Sequence, residues 1–566
     1  MATPSTGSRR GRRSDRFRRF GPGAYAAIAI ATAALVLPSA LRPPPEQTND
    51  SAALDPGAPS DQQNQILQSI QQASGGGAGA AAASPSPTSG TGKPPAATPT
   101  PTPAVGPPSN SQCFGNPPRQ IESVYSAPCA PAFSGNNGGA TGHNVFPNEV
   151  RLGFYHLFGA PTPGRVGQTG SGSESPTDRT FRVLQDYFNQ RYQTWGRHVA
   201  FYGLRPAETI QQQQAEAVRA DSQDHIFAAS YLWRGFCEEF VHRGDTALCG
   251  VPMPHNVYTE AQNRPGLFSY LMDRTQANGY GAEWMCKRLA GKPASHAGIG
   301  VNPKTIRKIG IITENHAKGG EPPSLFATAF KQECGGVLAD QVELTAEQAP
   351  DAAAQAVAKF KSEGITTIVI ATEQYNTTYL MSAADSLDWQ PEWIQFDVNG
   401  LDISSNARNL SGNQTPHFFG LGGFEIPRPF AQTECYQAYK SIDPANAPDA
   451  TACLLFWQPM VELMNGIQEA GPHLTRASFE AALFKVGHRF PPQPWAIGGG
   501  FGPDDYTYTD NVGEIWFDPH AVDVDGSTGA YRWTFDGKRY QRGQFTTDGS
   551  QLFTRGVVYP GGPQTS

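Results

Sequence analysis

Cysteine is absent from the first 112 residues of this 566-residue chain and tryptophan from the first 194. No Cys-x-x-Cys pair occurs, which leaves zinc-ribbon and thioredoxin-like readings without support. His-Glu-x-x-His, Gly-x-Ser-x-Gly and a Walker loop are also missing, so no catalytic motif is readable and the expectation is a protein that is not an enzyme. The flexible run Gly170–Glu174 is no nucleophile elbow, because no strand leads directly into it. Gly498–Gly500 lacks the Lys-Ser/Thr that a phosphate loop needs. Charge is scarce too, at 16% of residues. Only one stretch, Ala24–Leu41, is both apolar and free of charge for 18 residues.

What charge there is falls unevenly. Seven Arg and one Asp give the first 20 residues a net +6, and the whole chain carries −7, so the remainder carries −13. An acidic body of that kind excludes a nucleic-acid partner, which needs a basic face. The Arg cluster directly precedes Ala24–Leu41, a run just long enough to span a bilayer core of about 30 Å. Basic residues on its amino-terminal side predict a cytoplasmic tail over 1–23 and everything beyond 41 outside. Two readings of 24–41 stay open, an uncleaved anchor and a cleaved signal; Pro38-Ser39-Ala40 is a poor cleavage site. The expected location is membrane-anchored and extracytoplasmic, at a cell surface or in a periplasm-like space.

All eight cysteines follow this segment, which indicates disulfides rather than metal ligands. Short spacing favours Cys113–Cys129, Cys237–Cys249 and Cys435–Cys453, leaving Cys286 with Cys334. Residues 42–110 are a low-complexity Pro/Ala/Gly/Ser stretch that cannot bury enough apolar surface to fold. As a flexible tether of that length it would span on the order of 45–50 Å.

From about residue 148 strands alternate with amphipathic helices. Strands are expected at Glu149–His156, His198–Leu204, His225–Ser230 and Ala247–Pro252, with helices at Asp178–Arg191, Ala207–Ala220 and Tyr231–Arg243. Helix Gly281–Ala290 introduces a second series: strands Lys308–Thr313, Thr366–Ala371 and Trp393–Asp397, with helices Ser324–Glu333, Ala352–Glu363 and Tyr379–Leu387. Short β-branched strands between helices read as parallel, doubly wound α/β sheets, and two series imply two lobes. Helices Leu454–Ala470 and Thr475–Val486 follow. Beyond Tyr506, Asp525-Gly526 and Asp536-Gly537 punctuate alternating aromatic segments that read as antiparallel hairpins. Asp523-Val-Asp525-Gly526 lacks the distal Glu of a calcium loop and reads as one such turn.

Several stretches resemble the type I periplasmic solute-binding proteins, the leucine/isoleucine/valine-receptor family. HIFAAS, YLWRGFCEEFVHRG and TALCGVPMP follow that family's strand, helix and short strand, with Cys237 and Cys249 where a disulfide is common in it. LFSYLMDRTQ resembles the crossover into the second lobe, and the stretch beginning TIRKIGIITENH resembles that lobe's first strand. AVAKFKSEGITTIVIA matches a helix-to-strand step, PEWIQFDVNG the strand that ends at the ligand, and HFFGLGGF the return crossover. The resemblance covers about 148–500. It implies two hinged lobes that capture a small solute for an ABC-type permease, as in amino acid transport, or for a membrane sensor, without a cofactor. Amino-acid-binding members carry an acidic residue near the end of the PEWIQFDVNG strand. Here Asp397 and the better-aligned, neutral Asn399 stand there, a departure that argues against an α-amino acid.

The expected domains are lobe 1 over 111–274 and 421–505, lobe 2 over 275–420, and a hairpin-rich extension over 506–566 packed on the lobes. In open α/β sheets a ligand sits outside the carboxyl ends of the strands. That rule selects His156 and Phe158, then Ser230 and Tyr231, then Met253 in lobe 1. In lobe 2 it selects Asn315 and His316 beside Glu314, then Glu373, Gln374 and Tyr375, then Asp397 and Asn399. Hydroxyl, amide, carboxylate and aromatic groups of this kind suit a small polar solute. Two alternatives stand beside that reading: a scaffold of the same fold that grips another protein, and an extracytoplasmic enzyme whose residues are scattered over loops.

Overall fold

The computed structural model describes residues 113–564, apart from 156–160, 169–173, 208, 232, 251–264, 317–318, 321, 347 and 397–399. The basic tail 1–23, the apolar run 24–41 and the linker 42–110 lie outside the described residues. Among those described, no helix is long and apolar enough to cross a membrane.

The first sheet is built from β1 (Glu149–Tyr155), β3 (His198–Leu204), β4 (Ala228–Tyr231), β5 (Thr246–Cys249) and β6 (Leu267–Ser269), all parallel. A two-residue β2 (Gly164–Arg165) adds antiparallel to β3. Its strands are near-continuous apolar runs, because helices cover both faces of a parallel sheet. The second sheet has β7 (Ile309–His316), β9 (Asp340–Leu344), β10 (Thr367–Ala371), β11 (Glu392–Phe396) and β12 (Phe418–Gly422) in parallel, with a two-residue β8 (Gly319–Gly320) folded back on β7. It continues antiparallel into β13 (Val512–Val522) and β14 (Thr528–Trp533), and β15 (Arg539–Tyr540) pairs with β13.

The spatial orders are β3-β1-β4-β5-β6 and β9-β7-β10-β11-β12. Numbered by their sequence within each sheet, both are 2-1-3-4-5. Each therefore has a topological switch point, between β1 and β4 in the first sheet and between β7 and β10 in the second.

Several helices begin where a side chain satisfies their first N–H groups. α1 (Pro176–Arg191) is capped by Ser175, and α2 (Ile210–Ser222) by a Thr209/Gln212 capping box. The next is α3 (Arg234–His242), three residues later than the sequence pattern suggested, because Tyr231 closes β4 instead of opening a helix. α4 (Arg274–Arg288) begins seven residues before the expected Gly281, since Asp273 and Gln276 form a capping box there. α5 (Ser324–Cys334) and α6 (Pro350–Ser362) fall close to expectation. α7 (Gln374–Ser386) takes in Gln374 and Tyr375, ahead of the helix start at Tyr379 that the pattern predicts. Phe418–Gly422, read from sequence only as a return crossover, is strand β12; a side chain at Gly420 would collide with the backbone of Gln395 in β11. After the single turn α8 (Ser404–Ala407), α9 (Glu434–Ile442) has no counterpart in the sequence reading, whereas α10 (Ala450–Glu469) and α11 (Arg476–Val486) do.

Strand periodicity distributes the second sheet's side chains to two cores. Ile312, Trp393, Phe418, Ile515 and Phe517 join α6 and α7 on one face. Ile309, Ile311, Ile394, Phe419 and Trp516 join α4 and α5 on the other. The first sheet shares one core with α1, α9, α10 and α11.

The chain passes between sheets three times: after β6 into α4, after β12 into α9, and after α11 into β13. These passages are stitched together. Ser269 N–H donates to Tyr506 O and Tyr508 N–H to Ser269 O, both at 2.8 Å, and the rings of Tyr270 and Tyr508 stack at 5.5 Å. Arg539 donates to Gly423 O, Phe424 O and Asn511 O at 2.7–2.9 Å, holding the second passage to the third.

The four disulfides are Cys113–Cys129, Cys237–Cys249, Cys286–Cys334 and Cys435–Cys453, the pairing that spacing favoured. Asp523–Asp525 forms the β13–β14 turn, its carboxylates held by Arg408 at 2.8 and 2.7 Å.

Candidate functional site

At the first sheet's switch point β1 ends in Tyr155 and β4 in Ser230 and Tyr231. The rings of Tyr155 and Tyr231 lie 4.1 Å apart, and Tyr231 stacks on Phe236 of α3 at 3.8 Å. Trp233 donates its indole N–H to the Tyr155 hydroxyl at 3.0 Å. The tip is therefore an aromatic block with Tyr155 and Tyr231 buried. The Tyr231 hydroxyl is buried without a hydrogen-bond partner among the described residues. Burial also pushes its pKa far above that of an ordinary phenol. Cys237–Cys249 braces this tip from behind, bonding α3 to the end of β5, while Gly250 N–H donates to Tyr231 O at 2.8 Å.

The second switch point is polar. Glu314 on β7 is buried, and its carboxylate accepts from the Glu373 backbone N–H at 2.9 Å and from Asn376 Nδ2 at 2.8 Å. Asn376 also donates to Ala346 O and accepts from Ala349 N–H, so one side chain joins β7, the β10–α7 turn and the entry to α6. Glu314 thus serves as an internal bracket. On the rim stand exposed Asn315 and Tyr375 and half-buried Glu373 and Gln374.

Of the sequence-selected residues, Ser230 and Tyr231 thus share one strand tip, and Asn315 shares the other with Glu373, Gln374 and Tyr375. His156, Phe158, Met253, Asp397 and Asn399 lie outside the described residues, as does the side chain of His316, the last residue of β7.

A second concavity was not legible in the sequence. An open cleft of about 800 Å³ lies beside the inter-sheet passages, lined among others by Gln276 and Tyr280 of α4, Glu333 of α5, and His488, Asp505 and Asp510 of the third passage. His488 Nδ1 and Asp510 Oδ2 are 2.5 Å apart. Burial pushes the Asp510 carboxyl up to about 7 against the pull of His488, and the hydrogen bond to Asp510 raises His488. Only the density of acids in GPDDYTYTDN hinted at this feature, and such density is equally a turn signal.

No family model matches the chain, and no curated protein matches it either. Similar solved structures are solute-binding proteins. A possible leucine/isoleucine/valine-binding protein from Rhodopirellula baltica is 11% identical, with 68% of this chain and 96% of that one covered, at a TM-score of 0.47. The branched-chain amino acid transporter substrate binding protein of Streptococcus pneumoniae is 11% identical over 68% and 99%, at 0.46. The leucine-, isoleucine-, valine-, threonine- and alanine-binding protein of Brucella ovis is 12% identical over 70% and 95%, at 0.49. Likeness at this level says nothing of this chain's ligand, which its own residues must indicate.

Proposed function

We propose that this protein reversibly captures a small polar solute between two lobes, one built on each sheet, on the outer side of a membrane to which 24–41 tethers it. The captured solute is passed to an ABC-type permease or sensed at the membrane, with no bond made or broken. One observation carries this reading: the same 2-1-3-4-5 order occurs in both sheets, so each has a switch point at strand carboxyl ends, the place where open α/β sheets take ligands. Three adjacent passages between the sheets supply a hinge about which lobes of this kind close. The first tip offers an aromatic block of Tyr155, Tyr231 and the partly exposed Trp233. The second offers the amide, carboxylate and phenol groups of Asn315, Glu373, Gln374 and Tyr375.

A thermal-shift screen of the full chain in detergent against amino acids, amides, sugars and short peptides tests the proposal. A true ligand at 100 times its dissociation constant stabilises by about 2.7 kcal/mol. The nine Trp, all beyond residue 194, should report closure by fluorescence. Absence of any shift and any fluorescence change would overturn it.

A second reading, a scaffold of this fold without a small ligand, is favoured by the self-packing of Tyr155, Tyr231, Trp233 and Phe236. It expects the screen to stay silent, with Tyr231→Ala costing stability alone.

A further inference from the structure

We propose that His143, Asp221 and Asp245 form a divalent-cation site, suited to zinc, at the amino-terminal edge of the first sheet. Asp245 immediately precedes β5, Asp221 lies in the last turn of α2, and His143 stands in the loop before β1. The site is thus at the opposite end of the strands from Tyr155 and Tyr231. One ligating atom from each residue lies within 4.8 Å of the others. His143 Nε2 is 2.7 Å from Asp221 Oδ1 and 3.6 Å from Asp245 Oδ1. Two ligands bonded to a tetrahedral zinc at its usual distances sit roughly 3.3–3.5 Å apart, so small side-chain shifts bring the three onto one ion.

The surroundings are those of a ligating set. Asn144 Nδ2 lies 3.1 Å from Asp221 Oδ1, 3.0 Å from Asp245 Oδ1 and 3.1 Å from Ile226 O, placed to hold both carboxylates. Arg243 Nε donates to the other Asp221 oxygen at 2.7 Å. Outer donors of this kind orient metal-binding carboxylates.

Two atoms are left over. Among the described residues Asp245 Oδ2 is buried with no hydrogen-bond partner, and so is the neighbouring Thr246 Oγ1. A buried carboxylate oxygen without a partner is costly, and a cation is the group that removes the cost. The His143 side chain is half exposed, giving the ion a way in and a water-facing coordination position. Bound there, the cation would clamp the loop before β1 onto α2 and β5.

The test strips the full chain of metal and titrates zinc alone against a chromophoric chelator. Native protein is expected to bind one zinc per chain. His143→Ala and Asp245→Asn should each weaken binding at least tenfold, and His488→Ala, in the other His/Asp cluster, should leave it unchanged. Cobalt in place of zinc should give the visible absorption of a tetrahedral site in native protein and not in His143→Ala. Unchanged affinity in His143→Ala, loss in His488→Ala, or less than half an equivalent bound by native protein would overturn the proposal. If buried Asp245→Asn does not fold, half-exposed His143→Ala decides alone.

Discussion

In the first sheet, Phe154 of β1 sits with its ring centroid 4.9–6.1 Å from those of Phe201, Phe181 and Phe456. The second half also buries charge. Arg288 of α4 and Glu514 of β13 pair at 2.6 Å with both side chains fully buried, and Trp284 donates to the same carboxylate. Arg307 and Glu392 pair at 2.6 Å at that sheet's amino-terminal edge. One strand order thus carries an aromatic cluster at the centre of one half and, beside its apolar cores, buried ion pairs in the other. Topology constrains where strands lie, and leaves open which chemistry fills the space between them.

The largest expected break in this comparison comes from removing one partner of a buried pair. Arg288→Met should cost about 3–5 kcal/mol in urea denaturation, because Glu514 is left buried and uncompensated. The double variant Arg288→Met/Glu514→Leu should recover most of the loss; failure to recover would mean that packing, not charge, holds this face. Phe154→Ala should cost a similar ~3–5 kcal/mol through the cavity it leaves, with no such rescue.

Next come the disulfides. Cys286–Cys334 closes 48 residues on the second half and Cys237–Cys249 closes 12 on the first. On loop-entropy grounds, paired Cys→Ser changes should cost ~4 and ~3 kcal/mol respectively. Equal or reversed losses in calorimetry would tie the difference to local packing.

A smaller effect is expected at the passages between the halves. Asp510, held at about 7, and His488, raised by it, both bind protons more tightly folded than unfolded. Stability should therefore fall as pH rises from about 4 to just above 7. Asp510→Asn should flatten that slope by roughly 1–2 kcal/mol, since His488 is partly solvent-screened. An unaltered slope would place the titration elsewhere. The smallest change is Tyr231→Phe, which removes a buried hydroxyl without a partner among the described residues and should stabilise by about 1 kcal/mol. Destabilisation instead would reveal a partner for that hydroxyl.

Legibility followed range. Glu149–Tyr155, His198–Leu204 and Thr367–Ala371 stand out as apolar runs, and three of the disulfides follow from short spacing, because both signals are local; Cys286–Cys334, 48 positions apart, is what remains. Strand ends and helix starts depend on pairing partners distant in sequence. Tyr231 looks like a helix opener but pairs with Cys249 in the sheet, and Gln374 and Tyr375 look like loop but enter α7. β12 contains two glycines and a crossover's composition, yet it pairs with β11 and β13. At the candidate site the rule of strand ends pointed to Tyr231 and Asn315, but not to the aromatic block around one or the bracket of Glu314 beneath the other.

Composition and periodicity by themselves determined an acidic, disulfide-bearing α/β protein of two series behind an apolar amino-terminal run, since each of those properties is carried by neighbours along the chain. Only the tertiary structure decided that the series repeat one strand order, that β13 and β14 extend the second sheet, and that His143 meets Asp221 and Asp245 across 78 and 102 positions. Side chains so far apart in sequence share no local pattern; they become neighbours only when burial of the apolar strands brings the edges of one sheet together.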